Sequence, residues 1–448
     1  GGSRTTMRPP ALLSLCFFAA AWLFLTTFAG RPADLVDGIP GFDDAFKRGV
    51  DFSVYSGYLY VDVSDTSLAY DALSIHYELH TCVEGGLMGC PLAVWHQGGP
   101  GGSAVFGAWT EMGPFKLMSQ GPVTNFDNAW NNVANMLYLE SPAGSTIADD
   151  GTGWSSCSIR GVKQDTCTWD DVSQAVAYKA TLEAFYAAFH EVSGQPLYLV
   201  GESYAGQYIP NIVNYLLQNP LSNGVLVQGI ALGNACWGGD EDTVLCNGEH
   251  ENQMDVDIYH GKGLISEDLY QRIQAACDWD SVARAKLDVV AKKQKELLQK
   301  SRNHPKDEEQ KEEPFSFLPP KKGITAEKKK TKKTSVVSAD DCYELLDEAE
   351  DAVGPFNVYN VYDDCDLHPT SLSQARDELP ATTYSAGYPW NCESDPALDA
   401  YFARADVQRA LHLTPGSGSG FRYSRSGPAS LTLYPTILPR MRVLIYNG

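Results

Sequence analysis

Residues 197–210 read LYLVGESYAGQYIP. Leu197–Val200 is a short apolar run, as expected of a strand buried on both faces. Gly201, Glu202, Ser203, Tyr204, Ala205 and Gly206 follow, and a helix is expected over Ala205–Leu217, with Pro210 marking its first turn or a kink. A strand-to-helix turn of this kind forces its serine into a tight, exposed position, and small neighbours let strand and helix approach each other. The Ser203 hydroxyl is therefore expected at the carboxyl end of a sheet, where α/β proteins bind ligands. Ala205 stands where the five-residue pattern would have its second glycine, so the pattern is met loosely.

Working outward, the same kind of apolar run recurs at Pro91–Trp95, Ala134–Leu139, Val227–Leu232 and Met441–Tyr446. From Tyr55 to Leu79 the chain alternates like hairpin strands. Asp170-Asp171 can cap a helix whose apolar residues Val172, Ala175, Val176, Leu182, Phe185, Tyr186 and Phe189 share one broad face. Strands alternating with helices predict an α/β fold with a mostly parallel sheet.

A second glycine-rich turn follows the run ending at Trp95: His96-Gln97-Gly98-Gly99-Pro100-Gly101-Gly102-Ser103. Such a loop exposes backbone N–H groups to negative charge. A phosphate loop would end in Gly-Lys-Ser/Thr, which is absent, so oxyanion stabilisation suits it better.

Four blocks in fixed order now make a resemblance specific. WHQGGPGGS (95–103), EMGPF (111–115), NMLYLESPAG (135–144) and GESYAGQYIP (201–210) resemble the signature blocks of the serine carboxypeptidases. These are secreted, vacuolar and lysosomal enzymes of α/β-hydrolase fold. The similarity runs from about Tyr55 to Gly448, excluding a lysine-rich insert.

The resemblance implies Ser203 as nucleophile and the amides of Gly99 and Tyr204 as oxyanion hole. It implies that Gln97, Gly98 and Glu202 hold the substrate's C-terminal carboxylate, with Glu111 supporting Glu202 and Trp95 nearby. Two carboxyls sharing a site cannot both ionise cheaply, so one keeps a proton to donate and activity is expected at acidic pH. A solvated, structural pair is the alternative for Glu111 and Glu202. The substrates implied are peptide or protein C-termini, with no cofactor and no metal.

Two departures stand out. Gln97 occupies a position where the family usually has Asn, so its amide reaches a substrate carboxylate only if the loop shifts. Gly102 replaces the family's cysteine, which leaves the customary partner, expected at Cys365, to pair elsewhere or stay free. Cysteine spacing does not fix connectivity. One arrangement joins neighbours: Cys82–Cys90, Cys157–Cys167, Cys236–Cys246, Cys277–Cys342 and Cys365–Cys392. With Cys277–Cys342 formed, the insert could be cut while two chains stay joined, as in two-chain family members.

In α/β-hydrolases the serine is followed by an acid and then a histidine. Residues 443–448 resemble the strand whose end carries the acid, so the Asp is expected within a few residues beyond Gly448 and the His further on. The second part of the core is accordingly read as truncated. A serine without a histidine base is a poor nucleophile. His96 lies near the predicted site, but the family does not use that position as a base.

Composition and charge bound the class of protein. Of 448 residues, 56 are Asp or Glu and 34 are Lys or Arg, a net charge of −22 that excludes a basic nucleic-acid footprint. Sixteen of the basic residues fall within 284–333, so an acidic body carries one lysine-rich segment. Met7-Arg8 followed by uncharged Ala11–Ala29 reads as a cleaved secretory signal rather than a membrane anchor. Its loss leaves ten of eleven cysteines, an even number suited to disulfides.

The expected organisation is a signal peptide over 1–30, a first core part over 31–236, a cap insertion over 237–388 and a second, truncated core part over 389–448. The cap contains a flexible, solvated linker at 281–334. His76-Tyr77-Glu78-Leu79-His80 lacks the zinc-helix order and is expected as a solvated strand face. A family acyltransferase using the same nucleophile and a non-catalytic binding protein are the rival readings.

Overall fold

The apolar runs are strands. In the computed structural model, which describes residues 31–118, 121–147, 153–238, 250–282, 339–354 and 396–447, thirteen strands are formed. They are β1 (Val54–Asp62), β2 (Ala72–His80), β3 (Leu92–His96), β4 (Phe115–Met118), β5 (Gly121–Thr124), β6 (Asn135–Leu139) and β7 (Ser156–Ile159). After them come β8 (Val162–Lys163), β9 (Thr166–Asp170), β10 (Leu197–Glu202), β11 (Val227–Gly233), β12 (Gly420–Ser424) and β13 (Arg442–Tyr446). The expected signal segment and linker residues 283–334 lie outside the described residues, as do Cys246, Cys365 and Cys392.

One sheet of nine strands runs β13-β11-β10-β3-β6-β2-β7-β8, with β1 paired to β2. From β13 to β6 every pairing is parallel, and from β6 outward every pairing is antiparallel. The register aligns Gly201 of β10 with His96 of β3 and with Leu232 of β11. The turns leaving β3, β10 and β11 therefore emerge side by side at one end of the sheet. That is the end at which open α/β sheets bind ligands.

Alternation along β3 splits the core. Leu92 and Val94 join the helices Asp171–Ala188 and Ala205–Gln218 on one face. Ala93 and Trp95 join the helix Ala104–Thr110 and the Val36–Ala45 segment on the other. The first long helix starts with a capping box, Asp170 Oδ1 accepting from Ser173 N while Ser173 Oγ accepts from Asp170 N. Its apolar face is as expected except for Val172, which is exposed. Pro210 sits inside the second helix rather than at its first turn.

Two expectations need correction. His76, Glu78 and His80 are fully buried, not solvated, because β2 has partners on both sides and cores on both faces. Trp109 Nε1 donates to Glu78, His80 Nε2 lies 3.3 Å from Glu78 Oε2, and Ser56 Oγ lies 3.1 Å from His76 Nε2. Nor is the last run buried: Leu444 and Ile445 of β13 are exposed, since among the described residues that strand borders only β11.

Three expected disulfides are present: Cys82–Cys90, Cys157–Cys167 and Cys277–Cys342. Cys236 is also disulfide-bonded. The third bond ties the helix Glu267–Ala276 to the helix Ala339–Val353 across 65 residues of sequence. A small core of Val256, Ile265, Leu269, Ile273 and Leu346 surrounds it, and Arg272 donates to both oxygens of Glu348. Among the described residues, no helix is long and apolar enough to cross a membrane.

Candidate active site

Ser203 occupies the turn between β10 and its helix with φ of 54°, a left-handed conformation unusual for a residue with a Cβ. Three backbone bonds hold it there. Its N–H donates to Gly233 O, and its carbonyl accepts from Gly206 N and Cys236 N. The turn is thus fastened both to its own helix and to the exit of β11.

The glycine loop reaches this turn because Gly98 has no side chain. A Cβ there would lie 2.6 Å from Ser203 Cβ and 2.8 Å from Tyr204 N. Gly99 follows at φ of 119°, which favours glycine. Among the described residues, neither Gly99 N nor Tyr204 N has a hydrogen-bond partner. Two free amides beside a strained serine have the character of an oxyanion hole.

The loop is also fastened from behind. Gly102 N donates to Gly98 O, and Gly101 N donates to the hydroxyl of buried Tyr208 at 3.1 Å. The Phe421 ring lies against Gly101, where a Cβ would be 2.5 Å from it. Sequence reasoning missed Tyr208, although it lies within the GESYAGQYIP block, five residues after Ser203.

On the other side stand the acids. Gln97 Nε2 donates to Glu111 Oε1 at 3.1 Å and to Glu202 Oε1 at 2.6 Å. Trp95 Nε1 donates to Gln97 Oε1 at 2.9 Å. Gly107 makes this possible: a Cβ there would be 2.4 Å from the indole nitrogen. Trp95, Gln97, Glu111 and Glu202 are therefore one network. In this structure the Gln97 amide donates to both acids.

Both carboxyls are pushed above the usual range. Desolvation is the main cause for each, and for Glu202 the neighbouring Glu111 charge adds to it. Lys116 on β4, itself buried, counteracts the rise at Glu111. Sequence reasoning missed it too.

His96 is near this network in sequence but not in chemistry. Its Nδ1 lies within 3.2 Å of the carbonyls of Val94 and Val200, and its ring stacks obliquely on Tyr178. Burial pulls it down to about 4. Among the described residues, no histidine is hydrogen-bonded to Ser203, and no cluster of three His, Cys, Asp or Glu could hold a metal.

Comparison with known proteins identifies the family. The family described as serine carboxypeptidase matches residues 40–448. A serine carboxypeptidase of Caenorhabditis elegans, ctsa-4.1, is 27% identical over 98% of this chain and 80% of its own length. The lysosomal protective protein of Mus musculus is 31% identical over 61% of this chain and 49% of its own. Serine carboxypeptidase-like 36 of Arabidopsis thaliana is 30% identical over 59% of this chain and 50% of its own. The matched stretch thus spans about half the length of the last two relatives.

Among solved structures, the prohormone-processing carboxypeptidase Kex1(Delta)p of Saccharomyces cerevisiae shares the fold, with a TM-score of 0.54 and 18% identity over 93% of this chain and 78% of its own. Fold, motif order and family match coincide: the chain belongs to the serine carboxypeptidase family.

Proposed function

We propose that this protein is a serine-type carboxypeptidase that removes C-terminal residues from peptides through an acyl-enzyme on Ser203, at acidic pH. The observation that carries this reading is the meeting of two devices at one turn. Ser203, at φ of 54°, adjoins the glycine loop at Gly98, and its neighbour Glu202 is tied through Gln97 to Glu111.

In the reaction, Ser203 Oγ attacks the last peptide carbonyl as its proton passes to a base. The Gly99 and Tyr204 amides stabilise the oxyanion. The C–N bond then breaks, the proton goes to the leaving amine, and water later cleaves the ester.

The acid pair sets the pH range. Its protonated form can donate to a substrate carboxylate, and that form persists below the raised pKa values. Turnover should fall as pH rises through that range. Helices bridged by Cys277–Cys342 form part of the proposed cap, and the disulfides suit a secretory, extracellular or vacuolar/lysosomal site.

A phosphonofluoridate tests the nucleophile: mass mapping should find the adduct on Ser203 and lose it in Ser203→Ala. Partition of the acyl group between water and an added alcohol then separates hydrolase from acyltransferase. Absence of any adduct would favour a non-catalytic binding protein.

A further inference from the structure

Residues 420–424 read GFRYS, and β12 alternates accordingly. Gly420, Arg422 and Ser424 are exposed, while Phe421 and Tyr423 turn inward against the main core. The strand stands apart from the nine-stranded sheet. It pairs in parallel with β9, Phe421 level with Cys167 and Tyr423 level with Trp169. Cys167 is bonded to Cys157, so the ribbon under β12 is itself cross-linked.

Both ends of β12 are pinned. At its start, Gly420 N donates to Asp165 O, and Ser419 Oγ donates to Gln164 O. Gly144 also packs there, where a Cβ would lie 2.5 Å from Gly420 O. At the other end stands Asp171, fully buried in the first turn of the helix Asp171–Ala188. It accepts from the Tyr423 hydroxyl at 2.8 Å and from Ser426 N and Gly427 N at 3.1 and 3.2 Å. One carboxyl with three donors from a single short segment fixes that segment firmly.

Between the pins, the two rings reach the serine site from behind. Phe421 stacks on Tyr423, with centroids 5.9 Å apart, and Tyr423 meets Tyr204 and Tyr208 edge-on at 5.8 and 5.6 Å. Gly101 is gripped between the Phe421 ring and the Tyr208 hydroxyl. Each amide of the proposed oxyanion hole is therefore backed by an aromatic ring of β12. Phe421 backs the loop that carries Gly99, and Tyr423 backs Tyr204.

We propose that β12 is a strap that holds the glycine loop in register with the serine turn, with Phe421 and Tyr423 as positioning residues acting from outside the site. This rests on the carboxypeptidase reading, in which the Gly99 and Tyr204 amides receive the oxyanion. An oxyanion hole works because its donors are aimed before the charge develops. Without the Phe421 ring, Gly101 at φ of 110° is free to relax, and the Gly99 amide loses its aim. The loss should appear in the bond-making step and not in binding.

The test is labelling of Ser203 by a phosphonofluoridate in the full chain, followed over reagent concentration so that the maximal rate and the half-saturating concentration separate. In Phe421→Ala the maximal rate should fall by about tenfold to 100-fold, with the half-saturating concentration within about threefold of the parent. Phe421→Met, which refills the space over Gly101, should recover most of the rate. Tyr423→Phe keeps the ring and removes only the bond to Asp171, so its rate should fall by about threefold to tenfold. That variant decides the matter should Phe421→Ala not fold, as judged by near-UV circular dichroism. Lower melting temperatures with an unchanged maximal rate would make the two rings core residues alone and overturn the proposal. A parent that is not labelled at Ser203 would instead sink the carboxypeptidase reading, and this proposal with it.

Discussion

The two sides of Ser203 are built from different materials. On one side, Gly98, Gly99 and Tyr204 present backbone amides, and the loop's shape depends on side chains that are missing. On the other, Trp95, Gln97, Glu111 and Glu202 form a network made of side chains. The backbone side is broken by adding atoms to it or by cutting the bonds that fasten it from behind, whereas the acid side can be retuned by changing one side chain. Steric changes on the first side should therefore act on the chemistry, and substitutions on the second on pH and selectivity.

The largest effect should come from adding a single methyl. In Gly98→Ala the new Cβ collides with Ser203 and Tyr204 N, so labelling of Ser203 by a phosphonofluoridate should slow by about 100-fold to 1,000-fold. A rate within about threefold would mean that the loop does not need this approach.

Tyr208→Phe is the milder version of the same idea. It removes the oxygen that accepts from Gly101 N and leaves a buried donor unmatched. Chemical denaturation should show a loss of about 1–3 kcal/mol, and labelling should slow by about tenfold. Stability lost without a slower rate would make Tyr208 a core residue alone.

Titration of the buried groups predicts where the fold is most stable. Glu140 is buried, accepts from Trp154 N and Ser155 N, and is raised by desolvation from 4.5 to about 8. A carboxyl raised in the folded state gives stability that is complete below about 4.5 and is lost as pH rises through about 8. Glu111 and Glu202 act in the same direction.

His76 and His96 act oppositely. Burial lowers them to about 3 and about 4, so their stability is present above 6.5 and is lost as pH falls through those values. Between about 4.5 and 6.5 the two sets oppose each other. Three carboxyls outweigh two imidazoles there, so thermal melts across pH should show stability highest near pH 4.5, declining gently to about 6.5, and falling more steeply above it. Glu140→Gln should reduce the fall on the alkaline side, by up to about 1.4 kcal/mol per pH unit. An unchanged alkaline slope would contradict the assignment.

The smallest effect concerns the helices joined by Cys277–Cys342, far in sequence from the serine turn. A trypsin cut within residues 283–338 should leave one band on a non-reducing gel and two after reduction, with the main melting transition unchanged. Separation without reductant would contradict the bond.

What could be read from sequence divides along the same line. The strands of the parallel run and the Ser203 turn were legible because a buried strand needs continuous apolar residues and a tight turn needs glycine. His76, Glu78 and His80 misled, because period-two alternation cannot show that both faces of β2 are covered. That Gln97 would turn inward was also illegible. The outcome depends on Gly107, ten residues away, leaving space for the Trp95 indole.

The central claim is tested most directly by residue release. The full-length protein is incubated at about pH 5 with a peptide bearing a free carboxylate and with the same peptide amidated, and the products are followed by mass spectrometry. The account predicts loss of the C-terminal residue from the free acid in preference to the amide, and no loss with Ser203→Ala. Release that persists in Ser203→Ala, or no release from the free acid, would contradict it.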